Sequence, residues 1–308
     1  MPSPRLNYDI LREIVSHAPT SRTCAALMLT SRFFNYEAAV VLLQLHPEIH
    51  FYRETIPQFL SRHDFYRCRH VRQFDLWTKV YEASQETMRA LCQCLPHMDH
   101  LEVFRLLDGE FTFRTFPELG PILADLTSLR YLHIHHVGVL TCAFLKTVQA
   151  PLSTLYLDWE TESEMGTGKQ PYHRELDVDQ WPCHHPVAFL AKWAPTLEKV
   201  SSRMWITGPD PPASAHVYPK MRSLSYFADY PLVLPYMRAF PNLTHLEVVR
   251  DLDEDFTENM RAAHMPPLDA HRALNVQSQI ENVDIWEQLE EVTGPVVDLY
   301  VLGLTCRL

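Results

Sequence analysis

Between residues 70 and 250 the chain repeats a short rhythm: an apolar residue, two others, an apolar residue, one other, then a third apolar residue. The copies read Val71-x-x-Phe74-x-Leu76, Met98-x-x-Leu101-x-Val103, Leu129-x-x-Leu132-x-Ile134, Leu152-x-x-Leu155-x-Leu157, Leu197-x-x-Val200-x-Ser202, Met221-x-x-Leu224-x-Tyr226 and Leu243-x-x-Leu246-x-Val248. The fifth and sixth end on polar or amphipathic residues. Alternation over so short a run predicts a strand in each copy. Helical spacings lie between them: Met88, Leu91, Cys92 and Leu95 within 84–95, and Val187, Leu190, Ala191 and Ala194 within 186–194. Pro96, Pro195 and Pro241 close the segments that lead into three of the copies.

The central apolar residues stand at 74, 101, 132, 155, 200, 224 and 246, separated by 27, 31, 23, 45, 24 and 22 residues. Repetition at this period means stacked units with a long shared surface, which is a binding device. On these residues the span 46–308 resembles an irregular leucine-rich repeat array. The long fourth interval reads as an insertion loop at 158–185, charged and ending in Trp181-Pro182-Cys183-His184-His185-Pro186. Regular arrays carry Asn or Cys three residues after the last apolar position. Here those slots hold Lys79, Leu106, Val137, Glu160, Trp205, Asp229 and Asp251, so an uneven solenoid without an asparagine ladder is expected.

If the apolar positions point inward, the alternate ones face the open side. Those positions bring Asp75, Trp77, Glu102, Phe104, Tyr131, His133, Tyr156 and Phe227 to one surface. Aromatic rings beside charges are the usual anchors of a protein interface, so these eight are the candidate partner contacts. After residue 250 the rhythm weakens. Ile280-x-x-Val283-x-Ile285 fits a strand, but Val283, Trp286, Leu289 and Val292 fit a helix. A helix is expected there, followed by a last strand in 299–306. The apolar ending at Leu308 implies either a shortened gene product or an end tucked onto the last repeat. Gly208-Pro209-Asp210-Pro211-Pro212 reads as a second loop.

The first 45 residues form a different object. Ile10, Leu11, Ile14 and Val15 make an apolar face on a helix over 6–15 that Asn7 caps and Pro19 stops. Thr20 or Ser21 caps a second helix with Cys24, Leu27 and Met28, and Ser31 opens a third through Phe33, Phe34, Ala38, Val41 and Leu42. Three helices of this length have too little mutual surface to bury every apolar face, so part of it should meet a partner or the array behind. The order Leu6, Asp9, Ile10, Leu11, Ile14, then Leu27, then Thr30-Ser31-Arg32-Phe33-Phe34, resembles an F-box, most like those of fungal F-box proteins. The usual Leu-Pro start is Leu6-Asn7 here.

The resemblance implies an α/β protein with a three-helix F-box-like module at 1–45 and a repeat array behind it. It implies docking on the Skp-type adaptor of a cullin-based ubiquitin ligase through Leu6, Ile10, Leu11, Ile14, Leu27 and Phe33. The repeats would then hold a protein substrate, making the chain a substrate-recognition subunit of an SCF-type ligase with no catalytic residues, metal or cofactor of its own. The alternatives are an adaptor-independent interaction scaffold whose helices only cap the array, and a histidine-based metal hydrolase.

Composition narrows these. Apolar residues make up 46% of 308, ample for a packed interior. The net charge of −11, with no Lys/Arg run, disfavours nucleic acid as a partner. Eight glycines against 23 prolines leave little room for phosphate-cradling loops, and no nucleophile elbow or dinucleotide fingerprint is present. The 17 histidines include His133-x-His135-His136 and His184-His185, yet none falls into the paired spacing of a zinc site. Seven scattered cysteines and no apolar segment after Met1 predict reduced thiols in a cytoplasmic or nuclear protein, and no apolar run is long enough for a membrane.

Overall fold

The computed structural model describes residues 7–45, 48–51, 55–76, 84–162, 169–171, 185–203, 205, 216–226, 232–249, 268–282 and 286–307. Leu6, Trp77, Phe227 and the 208–212 loop lie outside the described residues. The chain is a mixed α/β protein with two compact units, one of 1–130 and 140–150, the other of 131–139 and 151–308. Among the described residues, no helix is long and apolar enough to cross a membrane.

The first unit opens with three helices, α1 (Tyr8–Ser16), α2 (Ser21–Met28) and α3 (Arg32–Leu45). Each starts on a side-chain cap. Asn7 Oδ1 accepts from the Asp9 N–H, Thr20 Oγ1 from Thr23 and Ser31 Oγ from Phe34, at 3.2, 3.2 and 3.3 Å. They close on their own small core of Val15, Ala18, Cys24 and Ala38, with Leu27, Met28, Phe34, Val41 and Leu42 packed against it. Arg67 ties α3 to the chain around Phe59. Its buried guanidinium donates to the Asn35 carbonyl at 2.9 Å, to Asn35 Oδ1 at 2.7 Å and to the Phe59 carbonyl at 2.9 Å. With neutral acceptors only, burial pushes its pKa down to about 10.

Behind these helices come β1 (Glu48–His50), α4 (Thr55–Leu60), β2 (Gln73–Leu76), α5 (Gln85–Cys94), β3 (Val103–Leu106), α6 (Gly109–Thr115), α7 (Leu119–Ala124) and α8 (Val139–Thr147). β1, β2 and β3 pair in parallel, in chain order. The second unit holds β4 (Tyr131–Ile134), β5 (Thr154–Asp158), β6 (Glu160–Glu162), β7 (Lys169–Pro171), α9 (Pro186–Phe189), β8 (Lys199–Arg203), β9 (Ser223–Tyr226), α10 (Leu234–Ala239), β10 (His245–Val248), α11 (Leu268–Ile280), β11 (Glu291–Thr293) and α12 (Val296–Leu302). Its strands β4-β5-β8-β9-β10-β11 pair in parallel in that order, while β6 and β7 form a separate antiparallel pair inside the expected insertion loop.

The repeat is built from three buried columns. The first holds Val71, Leu101 and Leu129 in the first unit and, in the second, Leu152, Leu197, Met221, Leu243 and Leu289, all buried. A backbone ladder runs beside it, ahead of the strands. Within each unit the residue after a column position donates its N–H to the carbonyl of its counterpart one repeat earlier. Glu102 donates to Arg72 and Arg130 to Glu102, at 2.8 and 2.9 Å. In the second unit Glu198 donates to Ser153, Arg222 to Glu198, Thr244 to Arg222 and Glu290 to Thr244, at 2.8, 2.8, 2.9 and 2.8 Å. Main-chain groups therefore satisfy one another from one copy to the next.

This ladder corrects the second repeat. Its first-column residue is Leu101, not Met98, and β2 pairs with β3 as Gln73↔Val103, Phe74↔Phe104 and Leu76↔Leu106. The copy is Leu101-x-x-Phe104-x-Leu106, three residues later than the spacing predicts. Phe104 therefore faces the interior, 1% exposed, its ring parallel to Phe74 at 6.2 Å. Both frames satisfy the apolar pattern; only the inward-facing Phe104 continues the ring stack from Phe51 through Phe74.

The C-terminal expectation is inverted. Residues 291–293 form a strand, with Val292 paired to Leu246, so Leu289-x-x-Val292 opens one more repeat. Of the 299–306 stretch, the first four residues are helix and the rest is neither helix nor strand. Pro295 precedes α12, which buries Asp298, Val301 and Leu302 and stops at Gly303, whose φ of 55° is left-handed. No helix stands over 286–292, and 283–285 lie outside the described residues; α11 ends before them, at Ile280.

Candidate functional site

Two surfaces merit description, one on the N-terminal helices and one on the strands. In α1 the apolar residues do not share one face. Val15 is buried and Leu11 half-buried, four residues apart on the inner side. Ile10 and Ile14, also four apart, point out and stay 51% and 48% exposed. Tyr8 is exposed as well and packs its ring on Phe33, centroids 5.0 Å apart. Leu29, just past α2, is 89% exposed. The open side of α1 thus carries Ile10 and Ile14 together with the exposed Glu13–His17 pair, whereas Arg12 on the same helix is held by Glu37 of α3 at 2.8 Å. Of the residues expected to dock a partner, Ile10, Ile14 and the half-buried Phe33 are accessible. Leu11 is partly so. Leu27 is half-buried as well, packed against the module's core.

On the strands, the outward positions form two clusters with a common arrangement, one in each unit. In the first, Asp75 of β2 lies between His50 of β1 and Arg105 of β3. His50 Nδ1 stands 3.0 Å from Asp75 Oδ2, and Arg105 donates one nitrogen to both carboxylate oxygens at 3.1 Å. Asp75 is only 2% exposed. Strand alternation predicts it as a partner contact, and the neighbouring strands cover it instead. Glu102 is exposed and pairs with Arg72 at 2.9 Å.

In the second unit, Asp158 of β5 is flanked by His135, just after β4, at 3.1 Å and by Arg203 of β8 at 3.8 Å. Beside it, three aromatic side chains expected at this surface come together. His133 stands over Tyr156 with ring centroids 3.9 Å apart, 4.5 Å from His135, and Tyr131 lies 6.3 Å from His133. All are half-buried. Burial first, then the Asp158 carboxylate, raises the Tyr156 phenol, with Arg203 opposing. The result is a half-buried platform of rings beside a buried carboxylate. Among the described residues, no group of three His, Cys, Asp or Glu is placed to hold a metal ion.

The sequence spacing brings together Tyr131, His133 and Tyr156 correctly, because β4 and β5 follow the predicted frame. It misses His50, since β1 lies before the first recognised copy. It misses Arg105 because the second frame is displaced. Residues 98–106 contain both frames, and that ambiguity is visible in the sequence. No family model matches this chain, and no curated protein matches it.

Proposed function

We propose that this chain is the substrate-recognition subunit of an SCF-type ubiquitin ligase. In this reading, 1–45 is an F-box-like module that docks a Skp-type adaptor, and the strand-and-helix repeats are an irregular leucine-rich repeat array that holds a protein substrate. The observation that carries it is the exposed Ile10–Ile14 pair, with Tyr8 and Leu29, on a helical module that already has a core of its own. A mere cap for the array would have no reason to keep these large apolar side chains open. The platform of Tyr131, His133 and Tyr156 is the surface we assign to the substrate. The chain performs no chemistry itself; it raises the local concentration of substrate beside the catalytic subunits.

The test is capture of a purified Skp-type adaptor by the full-length chain. Ile10→Glu with Ile14→Glu places two carboxylates on the open face without touching Val15, so capture should be lost while the fold is kept. Undiminished capture by the folded double variant, or no capture by the parent chain, would return the protein to the class of adaptor-independent scaffolds.

A further inference from the structure

Apart from these surfaces, the first unit holds a cavity of about 530 Å³ lined chiefly by Leu43, Tyr66, Arg69, His70, Arg72 and His100. Four of these six carry or can take a positive charge, and no carboxylate lines the cavity among the described residues. The chain as a whole has a net charge of −11, so this concentration of cations runs against its average. The crowding costs His70: burial, then the charges of His100, Arg72 and Arg69, lowers its pKa. His70 Nε2 is enclosed and has no hydrogen-bond partner among the described residues. Of the four, only Arg72 is in an ion pair among the described residues, with Glu102. Arg69 and His100 are exposed.

Arg69 and His100, with the Arg72 that Glu102 already shares, bring cationic donors to a concave site, which is the chemistry that receives an anion. The volume exceeds what a free inorganic ion fills and lies in the range of small-molecule sites, roughly 300–1,000 Å³. Tyr66, stacked on Tyr36 at 4.6 Å, and Leu43 supply an apolar side. We propose that this cavity binds a small phosphate monoester, its dianion held by Arg69, Arg72 and His100 and its organic part against Tyr66 and Leu43. The assignment is independent of adaptor docking.

Calorimetric titration of the full chain with phenyl phosphate at low ionic strength tests it. Saturable binding is expected, weakened about tenfold in Arg69→Ala, the loss of one charge-assisted hydrogen bond. His100→Ala should weaken it in the same direction, and because both side chains are exposed neither variant threatens the fold. Absent binding, or binding unchanged in both variants, overturns the proposal. Inorganic phosphate binding as tightly as phenyl phosphate removes the organic part of the assignment. A phosphoserine peptide binding more tightly than phenyl phosphate makes the site a reader of modified protein and overturns the small-molecule assignment.

Discussion

Replacing Phe104 by alanine discriminates between the two frames of the second repeat. On the displaced frame the ring would face outward, and its loss would weaken partner capture while leaving folding alone. In the structure it is buried between strands and stacked on Phe74, itself 6.3 Å from Phe51. Burying a phenyl side chain contributes about 2–3 kcal/mol by transfer alone. The cavity left in a layer held by three paired strands raises the cost of truncation to about 3–5 kcal/mol. With a urea dependence of about 2–3 kcal/mol per molar, the unfolding midpoint should fall by roughly 1–2 M. Glu102→Ala is the control, since on the displaced frame it shares the outer face with Phe104. It is exposed and pairs with Arg72 at the surface, so removing it should cost at most about 1 kcal/mol. Urea titration followed by circular dichroism measures both. A Phe104→Ala chain with the parent midpoint would refute the interior placement and restore the frame read from spacing.

Three further substitutions have equally definite outcomes. Asp75→Ala strips His50 and Arg105 of their shared carboxylate and should destabilise the first unit by about 2–3 kcal/mol, read by urea titration; a neutral result would mean Asp75 is not the link between those strands. Gly303→Ala forces a side chain into left-handed backbone with its Cβ 2.8 Å from Val276 Cγ2, and should lower stability by at least about 1–2 kcal/mol in a thermal melt. His185 caps α9 by accepting from the Val187 N–H, and burial pushes its pKa down to about 4 from 6.5. The unfolded chain therefore takes up this proton first as pH falls, and the stability present above about 6.5 drains away between there and about 4. Between pH 7 and pH 5 the loss from this group is about 2 kcal/mol. His185→Asn keeps a cap without the titration, so its midpoint should change less over the same interval; an equal change would assign the pH dependence elsewhere.

Much of the strand layout is legible because burial imposes a period of two on any strand with one covered face. Leu132, Leu155, Val200, Leu224 and Leu246 sit where their spacing puts them, each paired to its neighbour where both lie in the second unit. The three N-terminal helices are legible from capping residues and from Pro19, which are local chemistry. What is not legible is the choice between two apolar frames in 98–106, and the exchange of strand for helix after 280. Both depend on which neighbour a residue meets.

The same division holds at the candidate surfaces. Composition and local periodicity alone determined that Ile10, Leu11, Ile14 and Val15 would be helical and apolar, and that Tyr131, His133 and Tyr156 would share a face. Only the tertiary structure decided that Val15 turns in while Ile10 and Ile14 stay open, that Asp75 is covered by His50 and Arg105, and that Arg69, His70, Arg72 and His100 enclose one cavity. The physical reason is range. Capping and side-chain alternation act over a few residues and are written in consecutive letters. Burial and charge pairing join residues tens of positions apart, and the chain must fold before those partners exist.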